Sequence, residues 1–383
     1  MFNNKTFRFL FVFSILVNVL VLLLLFLPSV TREYYKTKFT PIEYSDINEC
    51  KEKISKSTIL MLKDNKSVDQ SVIYCKSFSD YLAYFQSINL NTAYEYGEFG
   101  FFCHYLYKYA TNTNNNKLHE EIRRIIDEDV LRGGDSFPLK RTDQIAFGCI
   151  LLDLYNDYKD SKYLNIIQGF IKYLQNIESN YGIIMYNDSV IQNVDGIGLI
   201  CPFLNQYYKA FNDSIARRMS SNLIIEYLKN GVDERTGLPA QAYNRINNNK
   251  HGFSSWGRGA GWLALGLLEW EGYNDDQQVS IIISHFDNSI VSMAPLFHQY
   301  LSDLRSTTID TSATIMLLYY LKEKKLINMP IEEILNIMLP FIDADGVIRF
   351  SSPSISRPFE TPNCYQKHHL SQALFLYMLS YME

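Results

Sequence analysis

The amino-acid sequence predicts an all-α protein whose helices form consecutive hairpins that close into a ring. From about residue 71 onward, apolar residues recur at helical spacing in segments of roughly 15 to 20 residues separated by polar turns. Strand-like alternation is limited to short pieces, at residues 182–186 and 347–350. Long linkers containing aromatic and Arg residues alternate with short ones, which places the large loops at one end of a closed ring and disfavours an open solenoid.

The helices are separated by ordinary stop signals, such as the Asn-rich segment 112–116 and Asn230-Gly231. The expected helices cover residues 94–110, 117–131, 143–158, 161–179, 195–210, 212–230, 259–272, 276–301, 310–325, 330–341 and 367–382. The long linkers at 132–142, 181–194, 233–261, 304–310 and 351–366 are therefore the places to look for site residues.

An apolar run precedes this domain at residues 9–27, interrupted only by Ser14 and Asn18. A run of about 19 residues can span a bilayer, whereas the apolar core of a signal peptide is about 7 to 15 residues long. No small-x-small cleavage site follows, so we expect an uncleaved anchor, with a cleaved signal peptide as the alternative. A short N-terminal anchor ahead of a large domain usually delivers that domain out of the cytoplasm. The sequence therefore predicts a single-pass membrane protein with an extracytoplasmic globular domain.

The sequence predicts four parts: an N-terminal tail (1–8), a transmembrane signal anchor (9–28), a tether and peripheral segment (29–66) and the helical domain (67–383).

Composition excludes several classes of protein and site. The chain is 47% apolar and 20% charged, unlike a disordered protein, and its net charge of -5 gives no footprint for nucleic acid. The six cysteines include no CxxC pair, and the sequence has no HExxH or Walker motif, so we expect no metal site and no cofactor. Cys149 and Cys201 are expected to be buried thiols, and a Cys50–Cys75 bridge is possible in an extracytoplasmic domain.

The segment 255–268 has the character of a pocket floor. Arg258 lies between Trp256 and Trp262 on a glycine-rich turn that leads into an apolar helix. Indole rings offer flat apolar faces, and a guanidinium offers a planar fork to a carboxylate or to sugar hydroxyls. Two alternatives are a dinucleotide-binding loop, disfavoured because no strand precedes it, and a close helix contact in which Arg258 caps a neighbour.

Three aspartates stand where loops lead into apolar helices: Asp143, Asp195 and Asp310. Each could be an ordinary N-cap that satisfies unpaired backbone N–H groups. In a helical ring, however, the helix N-termini of one rim would bring all three around a single cavity. His368-His369, near the end of the chain, is expected to serve packing or the surface.

These residues together resemble the unsaturated glucuronyl and rhamnogalacturonyl hydrolases, glycoside hydrolase families 88 and 105. The resemblance covers roughly residues 75 to 382. The matching motifs are Trp256-Gly-Arg-Gly-Ala-Gly-Trp262, Asp233-Glu-Arg-Thr-Gly-Leu238, Asp195-Gly-Ile-Gly, Asp143 followed five residues later by Gly148, and Asp310-Thr-Ser-Ala313. It implies an (α/α)6 barrel that removes an unsaturated uronic acid from the non-reducing end of an oligosaccharide.

The resemblance also implies the roles of individual residues. One acid protonates the C4–C5 vinyl ether and then activates the water that adds at C5, and motif position assigns this role to Asp195. Asp143 would be the second carboxylate, holding ring hydroxyls and keeping the proton on Asp195 in place by like-charge proximity. Arg258 would meet the uronate or a sugar hydroxyl, with Trp256 and Trp262 as walls of the pocket.

One motif departs from the family pattern, which usually carries a His and, three residues later, an acid after Thr-Gly-Leu. Here those positions are Gln241 and Asn244, with Tyr243 between them. Amides form hydrogen bonds but do not transfer protons, so we expect Gln241, Tyr243 and Asn244 to contact substrate rather than to perform acid–base chemistry. The departure keeps two alternatives open. One is a non-hydrolytic glycan-binding or polysaccharide-assembly protein on the same barrel, and the other is a different uronate-active (α/α) barrel enzyme.

Overall fold

The structure is a computed structural model that describes residues 11–21, 40–63, 72–75, 96–186, 190–252, 255–272, 276–301, 309–351, 364–366 and 368–382. Its described helices after residue 40 are α1 (Ile47–Lys63), α2 (Gly97–Asn112), α3 (Asn116–Arg124), α4 (Phe147–Tyr158), α5 (Ser161–Tyr181), α6 (Asp195–Phe211), α7 (Ser214–Asn230), α8 (Gly257–Leu268), α9 (Gln277–Met293), α10 (Thr311–Glu323), α11 (Ile331–Met338) and α12 (His369–Leu379). Shorter helical turns cover Ile125–Val130, Thr142–Ala146, Leu339–Phe341 and Ser380–Met382.

Six of these helices form an inner ring: α2, α4, α6, α8, α10 and α12. Each packs on the next, and α12 packs back on α2 to close the ring. The remaining six alternate with them along the chain and pack outside, so the described part of the chain is an (α/α) barrel. Because successive inner helices are separated by an outer one, they run in the same direction, and their N-termini gather at one rim.

Glycines allow the inner helices to approach closely. A Cβ on Gly198 of α6 would lie 2.7 Å from the backbone oxygen of Trp262 on α8, and one on Gly266 of α8 would lie 2.8 Å from the backbone oxygen of Ile197. Any larger residue would force the two helices apart. This contact fixes the position of α6, which begins at Asp195.

Short strands lie at the rim between hairpins. β2 (Ile191–Asn193), β3 (Ala242–Asn244) and β4 (Lys250–His251) form an antiparallel sheet in the order β2-β3-β4, with Asn193 opposite Ala242. The chain leaves β2 directly into α6. β1 (Val72–Cys75) and β5 (Cys364–Gln366) form a second antiparallel pair.

The observed helices confirm the expected all-α hairpin architecture, and the differences lie at boundaries. α9 ends at Met293 because Ala294 precedes Pro295 and adopts an extended backbone, with ψ 152. The segment expected to open a helix at Asp143 is a separate turn, Thr142–Ala146. The two pieces with strand-like alternation, 182–186 and 347–350, form no strand, although Ile348 makes an isolated bridge with Ile342.

Among the described residues, no helix is both long and apolar enough to cross a membrane. Of the anchor expected at 9–28, residues 11–21 are described, as helix, and the others lie outside the described ranges. The peripheral segment expected at 29–66 contains α1, which packs on α12. Cys50 is a buried free thiol, so the Cys50–Cys75 bridge is wrong.

Candidate active site

Asp143 lies in the short turn that leads into α4, pressed against the start of α2. Its Oδ2 accepts a hydrogen bond from the backbone N–H of Gly97 at 3.3 Å. Only glycine fits at that point, because a Cβ there would lie 2.0 Å from the carbonyl oxygen of Asp143. The turn and α2 therefore hold the Asp143 carboxylate in a fixed place at the rim.

Arg141 binds the same carboxylate through two N–H groups. Its Nε is 2.8 Å from Oδ1 of Asp143 and its Nη2 is 2.8 Å from Oδ2, while the guanidinium lies 5.0 Å from the ring centre of Tyr96. The side chain of Arg141 is 46% exposed, whereas that of Asp143 is 6% exposed. Burial raises the pKa of Asp143 although the charge of Arg141 opposes that rise.

Asp195 is the first residue of α6 and stands among the other ionisable groups of the rim. Burial raises its pKa to about 7, against the charge of Arg258, and the negative charges of Glu98 and Asp143 add to the rise. Tyr186 lies against the first turn of α6, where a Cβ on Gly196 would be 3.3 Å from the Tyr186 Cβ. Asp195 is thus a carboxyl group that gains and loses its proton near neutral pH.

Arg258 and its two tryptophans are held by backbone contacts at the start of α8. The N–H of Gly257 donates to the carbonyl oxygen of Gln299 at 2.8 Å, and Trp256 forms a bridge with Tyr300. Arg258 is 1% exposed, with its guanidinium carbon 6.0 Å from the centre of the Trp256 ring. Trp262 is buried against Gly198. Within the described residues, the buried indole N–H of Trp256 has no hydrogen-bond partner.

Glu98 and His368 form an ion pair at the same rim, from the first turn of α2 and the N-cap of α12. Nε2 of His368 is 3.2 Å from Oε2 of Glu98. Burial opposes the ionisation of Glu98, but its interaction with His368 and the charges of Arg258 and His369 lower its pKa to about 2. Glu98 is therefore a carboxylate at any pH near neutral.

The three residues expected from the altered motif lie in different surroundings. The carbonyl oxygen of Gln241 accepts from the N–H of Val194 at 3.1 Å, which ties this buried residue to the start of α6. Tyr243 is fully buried and donates from its hydroxyl to Glu226 at 2.7 Å. The Asn244 side chain accepts from the N–H of Ile246 at 2.8 Å within the β3–β4 turn. The backbone of Gln241 thus contacts the residue before Asp195, whereas Tyr243 contacts Glu226 and Asn244 contacts Ile246.

Asp310 is a buried N-cap of α10. Its Oδ1 accepts from the backbone N–H of Ser312 at 2.9 Å and from the Ser312 hydroxyl at 2.5 Å. These contacts match the capping role considered for it. Among the described residues, no group of three or more His, Cys, Asp or Glu side chains could hold a metal ion.

The structure therefore brings Asp143, Asp195 and Arg258 into one electrostatic cluster, together with Glu98, His368, Arg141 and Tyr186. The sequence motifs did not single out Glu98, Arg141 or Tyr186, and His368 was expected to serve packing or the surface. Arg141, two positions before Asp143 in a loop, was a readable signal, since such a pair can fold back on itself. The contact between Glu98 and His368 joins residues 270 positions apart, and no local pattern announces it.

Known proteins support this architecture. The crystal structure of a possible member of family GH105 from Klebsiella pneumoniae is 15% identical, with a TM-score of 0.69 over 89% of this chain and 94% of that chain. A family 105 glycoside hydrolase of Clostridium acetobutylicum is 16% identical, with a TM-score of 0.59 over 75% of this chain and 93% of that one. A variant of UGL with dGlcA-Glc-Rha-Glc is 15% identical, with a TM-score of 0.63 over 88% of this chain and 96% of that one.

These structural matches show the fold. A search of curated proteins found no match. The sequence profile described as Glycosyl Hydrolase Family 88 matches residues 73–373, which is most of the chain. The protein is thus a glycoside hydrolase and belongs to glycosyl hydrolase family 88.

Proposed function

We propose that the protein removes an unsaturated uronic acid from the non-reducing end of an oligosaccharide by hydrating its C4–C5 double bond. The observation that carries the proposal is Asp195, whose pKa burial raises to about 7 among carboxylates and a guanidinium at the barrel rim. A group that must first donate a proton and then accept one works best with a pKa near the working pH.

In this reaction, protonated Asp195 gives its proton to C4 of the vinyl ether, and the positive charge that develops at C5 is shared with the ring oxygen. The Asp195 carboxylate then takes a proton from water as the water oxygen bonds to C5. The hemiketal opens by breaking the bond between C5 and the ring oxygen. The hemiacetal left at C1 expels the remaining sugar. One residue thus acts as acid and base, unlike the paired carboxylates of most glycosidases.

The surrounding residues would orient the sugar. Asp143 would accept hydrogen bonds from ring hydroxyls, and its carboxylate is fixed by Arg141 and Gly97. Trp256 would donate a hydrogen bond from its buried indole N–H to the ligand. The Arg258 guanidinium, whose carbon is 6.0 Å from the centre of the Trp256 ring, would stabilise negative charge in the site. Two cations, Arg141 and Arg258, are candidates to bind the substrate carboxylate. Arg141 is the more accessible, because its guanidinium is half-exposed and Arg258 is buried.

The double bond of an unsaturated uronate absorbs ultraviolet light, so its loss reports the reaction directly. We expect the purified chain to abolish this absorbance in at least one member of a panel of lyase-derived disaccharides, and Asp195→Asn to lose that activity. Folded protein that leaves the absorbance of every member unchanged would contradict the proposal.

A second candidate is a glycan-binding protein without turnover. It is favoured by the amides at Gln241 and Asn244, where the family pattern has titratable groups. The two candidates separate by calorimetry with the same disaccharides. Binding of equal strength to the wild type and to Asp195→Asn, with intact sugar recovered from both, would favour the second.

We also propose that the barrel works outside the cytoplasm, on the basis of the apolar run at residues 9–27. Fusion of the whole chain to a reporter enzyme that is active only after export tests this location. An inactive reporter on a stable fusion would contradict it.

A further inference from the structure

We propose that Arg245 is a positioning residue for the reaction, because its contacts hold in place the segment between α5 and α6 that leads into Asp195. The inference rests on the proposed function, in which Asp195 transfers the proton. It gives the strand β3 a second task, since Arg245 directly follows that strand.

Arg245 contacts four places in the chain around the entrance of α6. Its Nε donates to Oε1 of Glu226 on α7 at 2.7 Å. Its Nη1 donates to the carbonyl oxygen of Tyr181, the last residue of α5, at 3.3 Å and lies 3.5 Å from Sδ of Met185. Its backbone N–H donates to the carbonyl oxygen of Val190 at 3.0 Å, just before β2. Arg245 thus holds the segment between α5 and α6 at three points and ties it to α7.

The held segment runs directly into Asp195. β2 follows Val190 and pairs along its whole length with β3. The N–H of Val194 then donates to the carbonyl oxygen of Gln241 at 3.1 Å, and Asp195 is the next residue. Because so short a stretch of paired backbone separates Val190 from Asp195, a displacement at Val190 also moves the Asp195 carboxyl group.

The same segment also supplies a wall beside Asp195. Tyr186 lies against the first turn of α6, where a Cβ on Gly196 would be 3.3 Å from the Tyr186 Cβ. Its neighbour Met185 is buried and is the residue whose sulfur Arg245 contacts. Arg245 therefore fixes both the strand that enters α6 and the aromatic side chain that packs on its first turn.

β3 has other anchors on α7, which do not involve Arg245. The Tyr227 hydroxyl donates to the carbonyl oxygen of Ala240 at 2.7 Å, and the Tyr243 hydroxyl donates to Glu226 at 2.7 Å. A variant of Arg245 therefore keeps β3 on α7 and loses the hold on the segment before α6. We expect such a variant to fold.

The arrangement requires a guanidinium. Its nitrogens reach acceptors in different directions, and here Nε serves Glu226 while Nη1 serves Tyr181. A lysine carries one ammonium group on a flexible stem, so it can restore the charge beside Glu226 but not both contacts at once. Arg245→Lys is therefore a conservative variant with an expected intermediate effect.

Hydrogen exchange tests the hold on the segment without requiring turnover. We expect Arg245→Gln to speed the exchange of the backbone amides of residues 190–197 by about tenfold, because the segment opens more often once this anchor is lost. Arg245→Lys should give a smaller increase. Arg124→Gln, which removes an arginine that binds Glu121 and Glu128 on and beside α3, is the matched control and should leave the exchange of these residues unchanged.

Kinetics then test whether this hold matters for proton transfer. Because Arg141, Asp143 and Trp256 lie on other elements, we expect KM for an unsaturated uronyl disaccharide to change by less than about twofold in Arg245→Gln. We expect kcat to fall by about tenfold to a hundredfold, since a small displacement of a proton-transferring group has a large effect on rate. Arg245→Lys should recover part of this loss.

Two results would overturn the proposal. One is unchanged exchange of residues 190–197 in a folded Arg245→Gln variant. The other is faster exchange with unchanged kcat, which would show that Arg245 only stabilises the fold. A folded wild type without turnover on any disaccharide would instead contradict the proposed hydrolysis, and the exchange measurement separates that failure from the failure of Arg245 to hold the entrance of α6.

Discussion

Arg141 and Asp143, two positions apart, form a bidentate ion pair in which the carboxylate is buried and the guanidinium faces outward at the rim. In the proposed reaction this pair supplies the cation that meets the acidic sugar, and it also joins two residues of the turn that leads into α4. Its removal should therefore affect binding and stability together.

We expect Arg141→Gln to weaken binding of a uronate-ended disaccharide at least tenfold and to lower the free energy of unfolding by roughly 1–3 kcal/mol, since a buried carboxylate loses its charged partner. Because burial raises the pKa of Asp143, the loss of stability should become smaller as the pH falls and Asp143 takes up a proton. Urea unfolding and calorimetry measure both effects. Arg218→Gln, which breaks a similar pair with Glu178 between outer helices, is the control. Equal loss of binding in both variants would show that the effect is not local.

The pH dependence of hydrolysis should follow Asp195. A group whose pKa burial raises to about 7 is protonated below that pH and able to donate. We expect kcat/KM to fall above about pH 7, approaching a tenfold decrease for each further pH unit. A profile that stays flat from pH 6 to pH 9 would exclude Asp195 as the proton donor.

Asp195 should also reduce stability at high pH. The folded protein binds its proton more tightly than the unfolded chain, so stability falls as the pH rises from the usual value of 3.8 through about 7. Asp195→Asn removes this dependence. It should raise the free energy of unfolding at pH 8 by up to a few kcal/mol, because each unit by which folding raises the pKa of Asp195 costs about 1.4 kcal/mol. At pH 4 the change should be small. A variant that is less stable at pH 8 would contradict this account.

Gly97 should tolerate no side chain, because a Cβ there meets the Asp143 carbonyl oxygen at 2.0 Å. We expect Gly97→Ala to displace the turn, to lower the melting temperature and to abolish activity. Gly169, in the middle of α5, has nothing within 4 Å of its added Cβ, so Gly169→Ala should stabilise the protein by up to about 1 kcal/mol. Thermal unfolding of the two variants compares a crowded glycine with an open one.

Tyr243→Phe tests whether the Tyr243 hydroxyl stabilises the fold or contacts substrate. Its hydroxyl donates to Glu226, which also accepts from Nε of Arg245 at 2.7 Å. We expect Tyr243→Phe to cost about 1 kcal/mol in unfolding free energy and to leave KM unchanged. An increase in KM without loss of stability would show instead that the Tyr243 hydroxyl contacts substrate.

The hairpin architecture was predictable because its signal is local. Helical periodicity and polar turns give the helix positions from residue 94 onward, and they do so without tertiary information. The motif positions of Asp143, Asp195 and Arg258 were readable for the same reason, since each marks the start of an inner helix.

What the sequence did not predict depends on distant contacts. α1 has mixed polarity and lies in the segment expected to be peripheral, although Ile54 and Leu62 are fully buried. Tyr243 and Asn244 follow Gln241 in one motif, but strand alternation sends the side chains of Tyr243 and Asn244 in opposite directions. The contact between Glu98 and His368 follows from ring closure, which no single segment encodes.

The closure of α12 on α2 has a consequence for how the enzyme is made. Translation delivers α2 before α12, so the imidazole that contacts Glu98 arrives only after the five other inner helices have been synthesised. Until then the half-formed barrel presents an open seam of apolar helix faces, which a chaperone could cover. Full activity is therefore a late event of biogenesis, gained when the first and last inner helices meet.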